Sequence, residues 1–384
     1  MNSATLTAAE ADSGVAATTP RPHHHMPSLD GLRGTAILLV IAHHLFASLY
    51  DEFAVNNSLL HWTELGWAGV DLFFVLSGFL ITGILYDAKG TPCYFKNFYA
   101  RRSLRIFPLY YIALAVVLVM TPLLSRLHLL GTANPAWLSI YATNFVISAK
   151  GVGSFGVLDH FWSLAVEEHF YLIWPAVVFA LNRKAIMIVA ACLCVIAPCL
   201  RLSLFNGAPT LPDAAYMLTP MRMDSLAAGA FIALLVRGPR GMKGLVAPAA
   251  VIGTLALVAF VALVLLRHSK DSRDAALASI GFTLLWAFFG STLLLALNWK
   301  PLQSLMSLPV LRWFGKYSYG LYVWHPIIFI FVFHTEPARQ FRGGDGHEPM
   351  LASIAVALVT TFVLTLASWH LWEKQFLKWK TRFA

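Results

Sequence analysis

The sequence predicts an all-α fold, a polytopic integral membrane helix bundle of about ten transmembrane helices with both termini cytoplasmic. Three observations carry that prediction. Of the 384 residues 58% are hydrophobic and 12% charged, against roughly one quarter charged in an ordinary soluble domain, and mean hydropathy is +0.67. Apolar runs recur along nearly the whole length, each long enough to cross a hydrocarbon layer about 30 Å thick as a helix. The basic residues gather in alternate short loops between those runs. Backbone in lipid must pair its own amides, so open strands are excluded.

In chain order, residues 1–27 are polar and rich in Ala, Thr and Pro. They lack a central apolar segment and read as a disordered tail rather than a cleavable signal. The triplet His23 to His25 in that tail is weak evidence for metal. Spans follow near 34–50, 66–86, 106–124, 161–181, 185–204, 217–236, 245–267, 275–297, 318–334 and 351–373. The stretch 137–147 is too short to span and reads as interfacial or re-entrant. Residues 28–373 form one membrane unit without an internal transporter-like repeat, followed by a basic cytoplasmic tail at 374–384. Cys192, Cys194 and Cys199 share one span, match neither zinc-ligand spacing nor a disulfide framework, and read as small core residues. No metal is expected.

Net charge +9 does not point to nucleic acid, because the cations lie between apolar spans rather than on one soluble face. Topology accounts for them. With the N-terminus inside, the inner loops hold Lys89, Lys96, Arg101, Arg102 and Arg105, then Arg183 and Lys184, then Arg237, Arg240 and Lys243, then Lys300, Arg312 and Lys316. Lys374, Lys378, Lys380 and Arg382 of the C-terminal tail add to these, and with Arg21 and Arg33 the total is roughly 19 inside against about 7 outside, the bias of cytoplasmic loops.

Ionisable groups at membrane depth cost several kcal/mol unless paired or hydrated, so each is a candidate for function. They are His43 and His44 in the first span, Asp71 in the second, Glu167 and Glu168 in the fourth, Arg222 and Asp224 in the sixth and His325 in the ninth. Arg33 and His44 are eleven residues apart, which returns them to nearly one helix face about 16 Å apart along the axis. His43 turns elsewhere and reads as a packing or supporting residue. Arg102 and Arg105, at i and i+3, share a face just before the third span. They suit either lipid phosphates or a phosphorylated cytosolic ligand. Ser163, Glu167 and Tyr171 form one stripe in DHFWSLAVEEHFYLIWP, and a carboxylate such as Glu167 or Asp71 could orient a histidine base. Ser77 lacks a nucleophile elbow and reads as a packing residue beside Gly78. Arg222 and Asp224 form an internal pair or join a wider network. His325 precedes Pro326, where a weakened helix frees backbone groups.

Taken together, LDGLRGTAILLVIAHH, GVDLFFVLSGFLIT, the Arg102 to Arg105 motif, FWSLAVEEHFYLIWP and YSYGLYVWHP resemble, in order, the signatures of the acyltransferase family 3 of integral membrane enzymes. The resemblance runs from about Ser28 to Trp372. It implies a multi-pass protein of the bacterial cytoplasmic membrane that moves an acyl group, usually acetyl, from cytosolic acyl-CoA to a hydroxyl of an envelope or exported carbohydrate or glycolipid. It further implies that His44 is catalytic and that Arg33, Arg102 and Arg105 serve the donor. His169 departs from the glutamine frequent in the family. Polyanionic coenzyme A suits arginines at the mouth, and His44 would either deprotonate the acceptor or carry the acyl group itself. A proton-coupled transporter or flippase is the competing class, weakened by the lack of an inverted repeat or paired broken helices.

Overall fold

The computed structural model describes residues 26–53, 55, 60–123, 129–207, 212–239, 241–242, 244–334 and 347–383. The expected tail at 1–27, with His23 to His25, lies outside the described residues apart from Met26 and Pro27. Among the described residues every regular element is helical. Ten helices have 17 residues or more: α1 (Pro27–Phe53), α2 (Gly69–Asp87), α3 (Tyr94–Leu123), α4 (Trp162–Ala180), α5 (Arg183–Gly207), α6 (Thr219–Val236), α7 (Val246–Arg267), α8 (Phe282–Asn298), α9 (Pro309–His334) and α10 (His347–Ser368). Eight helical stretches among the described residues are long and apolar enough to cross a membrane, so the chain is a multi-pass membrane bundle. The helices outside that set are α4 and α9, which carry Glu167, Glu168 and His169 and Arg312 and Lys316.

Helices α1, α3 and α9 begin well before their apolar runs, the lead-in residues continuing the same hydrogen-bond ladder, with Pro27 and Pro309 at first positions where a missing N–H costs nothing. The stretch expected to be interfacial holds two short helices, Ala136–Ser139 and Thr143–Lys150. Residues after α10 continue as Lys374–Lys378 and Trp379–Phe383, and Arg101 of α3 donates to the Phe383 carbonyl at 2.8 Å.

Polar contacts sort the loops into two ends. At one end Arg237 forks onto Asp87 at 2.7 and 2.8 Å, Lys89 donates to Leu181 O at 2.6 Å and Arg183 donates to Leu234 O at 2.9 Å. At the other, Trp67 Nε1 donates to Lys270 O at 2.8 Å and Arg273 pairs with Asp213 at 2.7 Å. The basic loops thus meet at one end, as alternating spans require.

Inside the bundle, α2 and α6 are central and α5, α7 and α10 peripheral: 78% and 72% of the apolar windows around α2 and α6 are buried, against 22%, 28% and 22% at the rim. Cys192 and Cys199 on α5 are accordingly exposed and only Cys194 turns inward, correcting their expected place in the core. One-sided packing of a rim helix leaves its other face to lipid.

The strongest pairings are α1 with α9 and α2 with α6. A Cβ at Gly78 would overlap Leu226 O, and one at Gly229 would overlap Val75 O. Small residues let backbones touch where lipid offers no hydrophobic drive to associate. Gly34 and Gly315 play the same part between α1 and α9, which sets Arg33 and His44 beside the ninth helix.

Candidate active site

The site starts from a cavity of about 840 Å³, open solvent at its mouth included, lined by α1, α2, α3, α4 and α9. Arg33, Arg102 and Arg105 all line it. Helix α3 presents Arg102 and Arg105 one turn apart, ahead of Pro108 inside the helix. Tyr319 donates to Ile106 O at 2.7 Å and Trp372 to Pro108 O at 3.2 Å, which fixes the helix on both sides of the proline. Arg102 lies over the rings of Tyr171 and Phe98 at 5.6 and 5.9 Å. Arg33 is held by Asp30 at 3.0 Å.

Ser163, Glu167 and Tyr171 face the same cavity from α4, as their helical stripe requires. The Glu167 carboxylate is within interaction range of the Ser77 and Tyr171 hydroxyls and the Arg102 and Arg105 guanidiniums. Ser77 and Tyr171 share a hydrogen bond of 2.6 Å, so Ser77 lines the cavity while its neighbour Gly78 does the packing. Glu168 and His169 turn away, and His169 Nδ1 lies 2.7 Å from Thr219 Oγ1.

At the inner wall stands Tyr322, which both lines the cavity and reaches behind it. Its hydroxyl donates to His160 O at 2.8 Å and lies 2.5 Å from Ser163 Oγ. Its ring centroid is 5.6 Å from that of His160 and 6.1 Å from that of His325. Beyond it His44 and His325 meet, Nδ1 to Nε2, at 3.4 Å. His44 is half-buried, whereas His325 is fully buried. His43 turns to the Glu64 carbonyl at 2.8 Å, away from that pair. The preceding loop is braced by Asp159, whose carboxylate accepts from the Gly153 and Phe155 amides. Burial raises the pKa of that carboxyl, while the two amides oppose the shift.

Asp71 is seated elsewhere. It accepts from Arg222 at 2.7 Å and from Ser225 at 2.8 Å, and Asp224 accepts from Arg201 at 2.7 Å. The Arg222/Asp224 alternative thus resolves into the wider network, with Phe282 under both guanidiniums at 3.9 and 5.3 Å. All four charged side chains are fully buried. Arg201 was not singled out from sequence, although a lone guanidinium in an apolar run was its signal. His160 and Tyr322 were likewise inside quoted motifs without being picked. Among the described residues no three His, Cys, Asp or Glu side chains gather as a metal-binding group.

The arrangement places three arginines in the cavity wall and sets the imidazoles behind Tyr322, outside the residues that line the cavity. Guanidiniums fork onto phosphate oxygens, and an imidazole with a free lone pair takes protons from hydroxyls.

The comparisons with known proteins give the family. An acyltransferase family model, described as an acyltransferase domain, matches residues 26–372. The chain is 31% identical over 370 residues to a Bacillus subtilis protein named "Putative peptidoglycan O-acetyltransferase YrhL", covering 92% of this chain and 55% of that protein. It is 29% identical over 373 residues to the peptidoglycan O-acetyltransferase OatA of Listeria monocytogenes, covering 93% and 56%. The chain therefore spans about half the length of these curated relatives. No solved structure matches it. Matched along nearly its whole membrane bundle, the chain belongs to the acyltransferase-3 family.

Proposed function

We propose that this protein is a membrane O-acyltransferase that moves an acyl group, acetyl in the first instance, from cytosolic acyl-CoA to a hydroxyl of an envelope or exported carbohydrate. The observation that carries it is the cavity with Arg33, Arg102 and Arg105 in its wall and Tyr322 joining that wall to the His44–His325 pair. The arginines hold donor phosphates at the basic end, and the thioester arm points inward along the apolar and hydroxylated wall. His44 removes the acceptor hydroxyl proton, the oxygen attacks the thioester carbonyl, and the carbon–sulfur bond breaks. The coenzyme A thiolate leaves and takes up the proton held by His44, which returns the imidazole to its starting state. Glu167 sits among Ser77, Tyr171 and the arginines, where it orders the donor side rather than His44. Asp71 belongs to the internal ion pairs. Peptidoglycan, named in both relatives, is the first acceptor to assay.

Inverted membrane vesicles carrying the full chain, supplied with radiolabelled acetyl-CoA, are expected to place base-labile label on a peptidoglycan fraction. His44→Ala at equal expression is expected to lose at least 100-fold of that transfer, within the 10²–10⁴-fold range of acid–base catalysis. Label transfer by His44→Ala within threefold of wild type would overturn its role. Substrate movement driven by a proton gradient without ester formation would favour the transporter instead.

A further inference from the structure

We propose that His325 is the positioning residue for His44, accepting its Nδ1–H so that the Nε2 lone pair is presented to the reacting hydroxyl. The inference rests on the transferase reading and its assignment of His44, and it assigns to an imidazole the orienting part expected of a carboxylate.

Four imidazoles lie together. His43 and His44 have ring centroids 5.1 Å apart, His44 and His325 5.0 Å, and His325 and His160 6.5 Å. In each, Nδ1 lies against a backbone carbonyl: Glu64 O at 2.8 Å for His43, Val40 O at 2.9 Å for His44, Val157 O at 3.1 Å for His160 and Leu321 O at 2.7 Å for His325. A carbonyl oxygen can only accept, so Nδ1 carries the hydrogen in all four rings and each Nε2 is left as a lone pair. For His325 that lone pair points at His44 Nδ1, 3.4 Å away. The His44 Nδ1–H is thus shared between Val40 O on its own helix and His325 Nε2 on α9.

The ninth helix is built to hold this ring. Pro326 has no N–H, so the carbonyl of Tyr322 loses the donor that a helix would supply. The carbonyl of Leu321, one residue earlier, accepts from the His325 ring at 2.7 Å. His325 is 0% exposed, which denies water the chance to replace it as acceptor. Behind it, His160 Nε2 is buried with no hydrogen-bond partner among the described residues, so that imidazole supplies no proton to His325. The described partners of Asp71 are Arg222 and Ser225, and Glu167 lies among the hydroxyls and arginines of the cavity. The Nδ1 side of His44 is filled by Val40 O and His325 Nε2.

Two substitutions separate positioning from bulk. In His325→Gln the side-chain oxygen reaches the level of Nε2 and still accepts from His44. In His325→Asn the amide ends at the level of Nδ1 and falls short. With acetyl-CoA and peptidoglycan fragments as probes, His325→Ala is expected to lower kcat at least 30-fold while donor KM stays within threefold. His325→Gln is expected to recover tenfold or more over His325→Ala, and His325→Asn not to. An Ala variant within threefold of wild-type kcat, a loss confined to KM, or equal activity of the Gln and Asn variants overturns the proposal. If the Ala variant fails to accumulate, the Gln and Asn pair decides alone. A His44→Ala control that stays active sinks the assignment of His44 whatever His325 does, and wild-type vesicles that transfer no label sink the transferase reading and this inference with it.

Discussion

Two groups of arginines divide the molecule. Arg201 and Arg222 are fully buried, each with a carboxylate at 2.7 Å and the Phe282 ring beneath. Arg33, Arg102 and Arg105 line an open cavity, Arg33 is 21% exposed, and Arg105 is exposed. A guanidinium sealed with its counter-charge has spent its binding capacity inside the fold. One that borders a cavity beside two like charges retains capacity for an incoming anion. The same residue type is thus sealed into the fold in one group and left facing the cavity in the other.

The sharpest way to break that distinction is to remove one partner of a sealed pair. Asp71→Ala leaves Arg222 buried without its carboxylate and is expected to cost about 3–5 kcal/mol of stability, read as loss of monodisperse protein and a lower Tm in detergent. Replacing both members, Asp71→Leu with Arg222→Met, is expected to restore much of that loss, because the cost is the orphaned charge rather than the missing pair. If the double variant folds but transfers no label, the pair has a chemical role and the division fails.

Next in size is the open group. Arg102→Ala with Arg105→Ala removes two forks onto phosphate, each worth roughly 1.5–3 kcal/mol. Donor KM is expected to rise about 100-fold or more while Tm stays near that of wild type. An unchanged dependence on acyl-CoA concentration would remove the donor site from this cavity. Smallest of all is Arg237→Ala, which breaks the half-exposed Asp87 pair at the basic end. It is expected to cost about 0–1 kcal/mol with transfer intact, because water screens what the lipid-embedded pairs cannot lose. A large Tm drop would place that loop pair with the sealed group.

The sequence foretold features carried by local periodicity. Ser163, Glu167 and Tyr171 recur every four residues and all reach the cavity, and Arg102 and Arg105, one turn apart on α3, do the same. The long-range partners were not legible. Asp71 and Arg222 are 151 residues apart in the chain, and His44 and His325 are 281 apart. Helical spacing says which face a side chain occupies and nothing of which helix meets it. Asp71 was a reasonable orienting carboxylate on depth alone, but the α2–α6 contact through Gly78 and Gly229 turns it toward Arg222. Tyr322 was hidden for the same reason, since a tyrosine in an aromatic-rich helix carries no mark of standing between a cavity and two histidines.

By itself, the sequence determined that this chain must be helical in a membrane, roughly where its apolar spans fall, and that basic residues collect in alternate loops. Those follow from hydrocarbon thickness, backbone hydrogen bonding and charge, all of which act on a segment alone. Only the tertiary structure decided which buried arginine received which carboxylate and which ring meets His44. Those choices depend on the register of close-packed backbones, where glycines let α1 meet α9 and α2 meet α6.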